Sequence, residues 1–474
     1  MSNEHHDLVV IGAGPAGMTA AISAAELGLD TVLLDEQRAP GGQIYRNIEQ
    51  IERAGGLDAL GDEYRRGTEL ARELRASAAA YRPESIVWQA SPDGRVGVTG
   101  PDGARMIHAR RILLASGAME RPVTIPGWTL PGVMGVGAVQ TLLEASGMVP
   151  DAPVVLAGSG PLLYLVATQL AQAGCTVTAL LVTTPLARVA GALAELPRAI
   201  LSGRHLLKGV GWMNDIRRRG IPVTNGVSRL RIEGTARAEA ISYEAGGERR
   251  RVEAGMVLLH EGVIPNVQLS LAARCRHVWD EMQACWRPET DAWGATSEDR
   301  IAVAGDGAGI LGAQAAEPLG RLAALDAAFR LGRIDQAERD RRARRERAEL
   351  APYKRLRPLL DRLFQPTPDS LVPADPDTIV CRCEEVTVDA LRHAVSLGGE
   401  DPNRAKIFTR CGMGPCQGRM CGTAVSALIA REAGRSVQDV GPYRIRIPVR
   451  PIPLVALAEL VGEEEGLPPE GATL

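Results

Sequence analysis

Five of the eight cysteines fall between positions 381 and 421, and their spacing is the first chemical signal in the chain. Cys381 and Cys383 make a C-x-C pair. Thirty-two residues further on, Cys416 and Cys421 make a C-x₄-C pair, with Cys411 just upstream. In a long chain that opens without a secretory leader, such a cluster reads as metal ligands in a reducing compartment, not as a disulfide framework. Two pairs of thiolates suit the two irons of a [2Fe–2S] centre, which takes four cysteines. Structural zinc is the competing reading, but zinc prefers two to four residues between paired cysteines, and C-x-C has one.

The second signal is a glycine turn. Asp7–Ile11 is a short apolar run, followed by Gly12-Ala13-Gly14-Pro15-Ala16-Gly17 and then by an alanine-rich helical stretch from Met18 to Leu27. A second apolar run, Thr31–Leu34, ends at Asp35-Glu36, eighteen residues past Gly17. Strand, glycines, helix, strand and acid in that order make a dinucleotide-binding βαβ unit. Gly12 permits the tight turn and Gly14 lets backbone approach a pyrophosphate. Gly17 lets helix pack on strand, and the helix N-terminus faces the phosphates. Asp35 is placed to accept from a ribose.

A second unit repeats the pattern incompletely. Val154–Ala157 leads into Gly158-Ser-Gly160-Pro-Leu-Leu163, then a helix to Ala173 and a strand over Thr176–Val182. The third glycine is Leu163, and the residue at the ribose-acid position, eighteen on, is Leu181. Such a turn suits phosphate but lacks the usual 2′-hydroxyl partner, which speaks against a working nicotinamide site.

The elements that hold these turns sit in an ordinary globular composition. The 474 residues include 45% apolar and 23% charged residues, enough for about three domains. Lys plus Arg (54) against Asp plus Glu (57) leaves a formal charge of −3, so net charge gives no reason to expect nucleic acid. Residues 152–187 carry no charged side chain, but glycine turns and Gln169 and Gln172 within them favour strand, turn and helix over a membrane span. Arg111–Gly117 reads as a strand ending in a small-residue turn. Leu258–Asn266 reads as a strand leaving the second unit, and Arg300–Gly307 as a strand ending in Gly-Asp before a helix over 313–331. The arginine-rich stretch from Gln336 to Arg362 reads as a solvated helix or linker.

Two nucleotide units, with an Ala-Ser-Gly turn before the second and a Gly-Asp strand after it, resemble the two-dinucleotide-binding-domain flavoproteins. That resemblance implies FAD in the first unit, held by Gly12, Gly14, Pro15, Ala16, Gly17, Asp35 and Glu36. Gly42, Gln43, the turn Ala115-Ser116-Gly117 and the pair Gly305-Asp306 complete the implied flavin site. Gly158 and Gly160 would hold an adenine nucleotide (ATP, AMP or NAD(P)) in the second unit. More narrowly, Asp35–Arg46, Ala157–Leu163 and Thr409–Gly418 are similar to the FAD-binding subunits of heteromeric amino-acid and opine dehydrogenases. The C-terminal cysteine region resembles the bacterioferritin-associated-ferredoxin-like module. In that module's motif an alanine or valine often stands where Cys411 does, which implies Cys381, Cys383, Cys416 and Cys421 as ligands and Cys411 as a bystander or a substitute ligand.

The expected fold is therefore α/β, with two Rossmann-like domains and a small helical [2Fe–2S] domain. The expected boundaries are 1–125 and 266–335 for the FAD domain and 126–265 for the second nucleotide domain. A charged linker over 336–375, the cysteine module over 376–434 and a proline-rich tail over 435–474 follow. The expected role is the electron-transferring subunit of an amino-acid or opine dehydrogenase. The resemblance implies an amine-oxidising flavoprotein partner, room for a small ferredoxin-like chain, and a hetero-oligomer in the cytoplasm or at the inner face of the membrane. Rival readings are a stand-alone NAD(P)H-dependent flavin reductase and a non-catalytic nucleotide-binding scaffold. No C-x-x-C accompanies either nucleotide unit, which excludes a dithiol relay, and no side-chain acid or base is assigned to catalysis. His260 is expected to be a structural histidine.

Overall fold

The computed structural model describes residues 4–55, 62–200 and 202–465. Its first sheet is built around Glu4–Ile11, with Thr31–Leu34 parallel on one side and Gly103–Leu114 parallel on the other. Ala80–Arg82 extends the sheet beyond Thr31–Leu34. Gly103–Leu114 is long enough to serve two more neighbours. Its first half pairs antiparallel with Arg95–Gly100, and its last three residues pair parallel with Ile301–Val303. That late strand returns the chain to its first domain after a long excursion.

Helix Pro15–Glu26 and helix Ala313–Arg330 cover one face together. They pack closely: a Cβ on Gly320 would stand 2.1 Å from the Ala16 carbonyl oxygen, and Thr19 Oγ1 donates to the Glu317 carbonyl at 2.9 Å.

The excursion builds a second, all-parallel sheet. Its order is Val223–Asn225, Val177–Val182, Val154–Ser159, Met256–Glu261, Val133–Gly135. An antiparallel trio, Ser228–Glu233, Ala240–Ala245 and Glu248–Glu253, lies beside it. Central strands such as Val154–Ser159 are buried throughout, as parallel strands covered on both faces must be. The uncharged stretch is thus strand, turn, helix Pro161–Gln172 and strand. No helix among the described residues is long and apolar enough to cross a membrane.

The arginine-rich stretch is one continuous helix, Gln336–Leu363, capped by Asp335, whose carboxylate accepts the Glu338 N–H at 2.8 Å. Charge patterning suggests a solvated element, and most of its arginines are exposed, yet two of them cover aromatic rings. The Arg339 guanidinium sits 4.1 Å from the Trp293 ring centroid and 4.3 Å from that of Phe329, and Arg347 covers Trp293 at 4.5 Å.

Beyond it, Ile379–Cys381 pairs with Val386–Thr387, and helices Val388–Ser396, Pro402–Thr409 and Gly422–Ala433 surround the cysteines. Their N-caps follow from sequence: Thr387 accepts from Ala390 N–H, and Asp401 from Asn403 and Arg404 N–H. The core on one face of the first sheet (Val9, Val32, Ile112) continues unbroken into this module (Val380, Leu391, Leu428) and on to Val449.

Candidate functional site: two nucleotide turns and a cysteine nest

The first turn is a cradle of backbone. Gly12 has φ +105°, and a Cβ there would meet the Ala115 carbonyl oxygen at 2.5 Å. A Cβ on Gly17 would stand 1.8 Å from the Gly12 oxygen, so helix Pro15–Glu26 sits directly on the turn. Gly14, the residue before the helix, offers no capping side chain, and the first helical N–H groups, Ala16 and Gly17 among them, are left for a ligand. The Gly41-Gly42 loop folds onto the same turn: Gly41 N–H donates to the Ala13 oxygen at 2.8 Å, and a Cβ on Gly42 would lie 2.7 Å from the Gly14 Cα.

Asp35 closes the strand end. It is buried, and its carboxylate accepts the N–H of Gln37 at 2.7 Å and that of Ala13. Burial pushes its carboxyl above the ordinary range, and the two N–H groups work against that. Glu36 points outward and pairs with Arg450 at 2.7 Å. Arg46 donates to Gln43 Oε1 at 3.0 Å and to Gln37 Oε1 at 3.2 Å, while its Nε is buried without a partner.

The remaining expected flavin residues meet beside these. Ser116 Oγ donates to the Asn266 carbonyl at 2.9 Å, and Asn266 N–H to the Gly117 carbonyl at 3.0 Å. A Cβ on Gly307 would lie 3.3 Å from Ser116 Oγ, and one on Gly305 2.9 Å from the Ala16 Cβ. Asp306 spends Oδ1 on the N–H groups of Leu311 and Gly312, both at 2.9 Å, which sets the loop entering helix Ala313–Arg330. A glycine turn, uncapped N–H groups at the helix start, a buried acid at the strand end and a guanidinium nitrogen without a partner among the described residues fit a dinucleotide.

The second turn has the same outline and different fittings. Gly158 and Gly160 have φ +139° and +131°, and a Cβ on Gly160 would meet His260 Nε2 at 2.9 Å. His260 is buried; its Nδ1–H donates to Glu120 Oε1 at 2.6 Å, and Glu120 also accepts Gly137 N–H at 3.0 Å. Nε2 therefore faces the turn. Leu163 fills the third-glycine position and is fully buried.

The ribose position needs a correction by one residue. In the first fold Ile11 pairs with Leu34, which sets Asp35 opposite Gly12. In the second, a bulge between Val177 and Ala179 adds a residue, and Gly158 pairs with Val182. The counterpart of Asp35 is Val182, not Leu181; both are apolar and buried. The nearest acid is Glu261, which accepts from Thr183 Oγ1 at 2.7 Å and is pushed up to about 7 by burial.

The five clustered cysteines form one nest with two parts. The sulfurs of Cys381, Cys411 and Cys421 all lie within 4.8 Å of one another and are buried. Cys383 is exposed, Cys416 half-buried, and their thiols are in hydrogen-bond contact. The close contacts thus cross the C-x-C and C-x₄-C order: Cys383 meets Cys416, and Cys381 meets both Cys411 and Cys421. Nor is Cys411 set apart, since its sulfur belongs to the buried trio. Cys381 is held far below the ordinary thiol range by the neighbouring thiols of Cys411 and Cys421 and by the N–H groups of Gly412 and Glu384. Sequence reading misses Tyr443, which packs over this nest although it falls within the proline-rich tail. A lone tyrosine among prolines carries no periodic signal.

The module is bound to both folds. Val449 N–H donates to the Trp88 carbonyl at 2.9 Å, and Trp128 Nε1 to the Ile379 carbonyl at 2.7 Å.

Fold and first turn together define a nucleotide-dependent oxidoreductase: residues 6–329 match the pyridine nucleotide-disulphide oxidoreductase family, and residues 376–460 match the sarcosine oxidase A3 domain. The opine oxidase A protein of Agrobacterium tumefaciens, one of that enzyme's subunits, is 44% identical over 97% of this chain and 92% of its own length. The HcnB subunit of hydrogen cyanide synthase from Pseudomonas aeruginosa is 35% identical over 95% of this chain and 98% of its own. The structure of L-proline dehydrogenase from P. horikoshii has the same fold, with a TM-score of 0.67 at 18% identity, over 96% of this chain and 80% of that one. The chain belongs to the family of the opine oxidase A and hydrogen cyanide synthase HcnB subunits.

Proposed function

We propose that this chain is the electron-transferring subunit of a multi-subunit flavin oxidoreductase acting on an amino acid or opine. In this reading the first fold holds FAD and the cysteine nest holds a [2Fe–2S] centre. Its relatives are named as subunits of opine oxidase and hydrogen cyanide synthase, which supports a hetero-oligomer. The partner implied is an amine-oxidising flavoprotein subunit, with a small ferredoxin-like chain as a third component, in the cytoplasm or at the inner membrane face.

The observation that carries this reading is the placement of the nest. It shares a core with the flavin fold, and Arg450 just beyond it pairs with Glu36, next to the ribose acid. When bound, FAD exchanges electrons in pairs and an iron–sulfur centre exchanges them singly, which is why the two belong on one chain. The protein's share is placement. Gly12, Gly14, Gly17 and the first helical N–H groups receive phosphate, Asp35 receives a ribose, and burial keeps water from the sulfurs of Cys381 and Cys421. A buried trio of Cys381, Cys411 and Cys421 beside the pair Cys383 and Cys416 offers two groups of sulfurs, which suits two irons better than one tetrahedral zinc. Cys411 is the fifth sulfur of the nest.

A stand-alone NAD(P)H reductase would need a ribose partner where Val182 stands. The second turn suits an adenine nucleotide held through its phosphates, with His260 Nε2 facing them. Anaerobically prepared protein is expected to release FAD on denaturation and to contain two irons and two acid-labile sulfides. Excess NADH or NADPH should bleach the flavin band slowly or not at all in stopped flow. Adding the amine-oxidising partner and its substrate should bleach it. Bleaching by NADH alone at ordinary turnover rates, on the order of 1–10³ s⁻¹, would overturn the proposal in favour of the reductase.

A further inference from the structure

Glycines crowd the cysteine loop at 412, 414, 418 and 422, a pattern that suggests backbone wrapping closely about a metal centre. The structure shows what three of them make room for. A Cβ on Gly412 would stand 2.5 Å from Tyr443 Cζ, one on Gly418 2.5 Å from Cδ2, and one on Gly422 3.4 Å from Cδ2. The Tyr443 ring is set into the loop, only 4% exposed, with Lys406 Nζ 5.2 Å from the ring centroid.

Its hydroxyl is the unusual part. Oη is buried and has no hydrogen-bond partner in good geometry among the described residues, although buried phenols normally find one. It lies 2.8 Å from where a Gly412 Cβ would be, beside the Cys411 thiol and therefore against the buried sulfur trio. A phenol can donate one hydrogen bond, and the groups it faces are sulfurs. The loop leaves out three side chains to admit a ring whose hydroxyl has no other hydrogen-bond partner among the described residues.

Resting on the iron–sulfur reading above, we infer that Tyr443 is a positioning residue for that centre, with its hydroxyl donating to a sulfur of the buried trio Cys381, Cys411 and Cys421, two of which are ligands in that reading. A proton shared with a sulfur offsets negative charge, and the reduced centre carries more of it than the oxidised one. Hydrogen bonds to sulfur are among the factors that set the potential of such centres. Tyr443 thus makes the centre easier to reduce. The backbone N–H groups of Gly412 and Glu384 act in the same sense on Cys381.

The test is Tyr443→Phe in the full chain, isolated anaerobically with its partners; the ring stays in its glycine slot and only the hydroxyl goes. Iron and acid-labile sulfide are counted first, in both proteins. Their absence from the unsubstituted protein would defeat the iron–sulfur reading itself. With the centre present in both, a redox titration followed by electron paramagnetic resonance should show a lower midpoint in the variant. About a tenfold change in the reduction equilibrium corresponds to ~59 mV for a one-electron couple. An unchanged or raised midpoint overturns the assignment. So does loss of the centre from Tyr443→Phe alone, which would make the hydroxyl necessary for holding the centre instead of tuning it.

Discussion

The two nucleotide folds share a turn and a helix length but part company at two positions. In the first fold the third glycine is obligatory, because any Cβ on Gly17 would run into the Gly12 carbonyl. In the second, Leu163 occupies that position and is wholly buried, so its helix must leave room that the first fold does not have. At the strand end, buried Asp35 in the first fold has buried Val182 as its counterpart in the second. The glycines at the start of each turn answer mainly to backbone packing: Gly158 is pressed against the His260 carbonyl just as Gly12 is against that of Ala115. They say that strand, turn and helix are present. What the turn can bind is decided by the residues around it.

The sharpest way to break the comparison is at Gly14, whose φ is negative and whose Cβ would meet only the Gly42 Cα, at 3.8 Å. The protein itself tolerates a side chain there, while a pyrophosphate would not. Gly14→Val should fold, by circular dichroism, and yet retain no FAD; a full complement of bound flavin would show that the first turn does not hold it. Gly160 permits no such clean test, since its positive φ and His260 oppose any side chain before a ligand is considered.

A smaller effect is expected at Asp35. Asp35→Asn keeps the shape but removes a charged acceptor, and charge-assisted hydrogen bonds contribute about 1.5–3 kcal/mol. FAD affinity, measured by titrating the apoprotein, should fall roughly 10- to 150-fold. Unchanged affinity would make Asp35 an internal brace for Ala13 and Gln37 and nothing more.

The smallest effect concerns the acid the second fold does keep. Glu261 has an ordinary value of 4.5 and is raised to about 7 in the fold. A raised carboxyl takes up a proton on folding. Its contribution is therefore full below about pH 4.5 and is lost as pH rises through about 7. Glu261→Gln should remove this dependence and gain roughly 2–3 kcal/mol over the wild type by pH 8. Urea midpoints between pH 5 and pH 8 check it; parallel curves for the two proteins would show that Glu261 stays charged when folded.

Much of this was legible in the residues. Strand, glycine turn, helix and acid announced the first fold because each is local, and the return strand at 301–303 ends in a recognisable Gly-Asp. What escaped was non-local. A bulge near Ala179 leaves no mark in composition, so counting reached Leu181 while register reaches Val182. Cysteine spacing suggests neighbours along the chain, but the loop carries Cys416 back to Cys383 and Cys421 to Cys381. Most arginines of 336–363 are exposed, as their charge pattern suggests, but nothing local in the sequence announces Trp293 beneath Arg339 and Arg347.

The bond from Val449 to Trp88 also bears on how the chain is made. The apolar face of the first sheet carrying Val9, Val32 and Ile112 shares its core with residues as distant in the chain as Leu269, Val380, Leu428 and Val449. Contacts this distant in sequence form slowly, and until they do an exposed face invites association with other chains. A chain in which these distant partners have not yet docked keeps that surface open, and its yield in the cell should depend on chaperones that occupy the surface in the meantime.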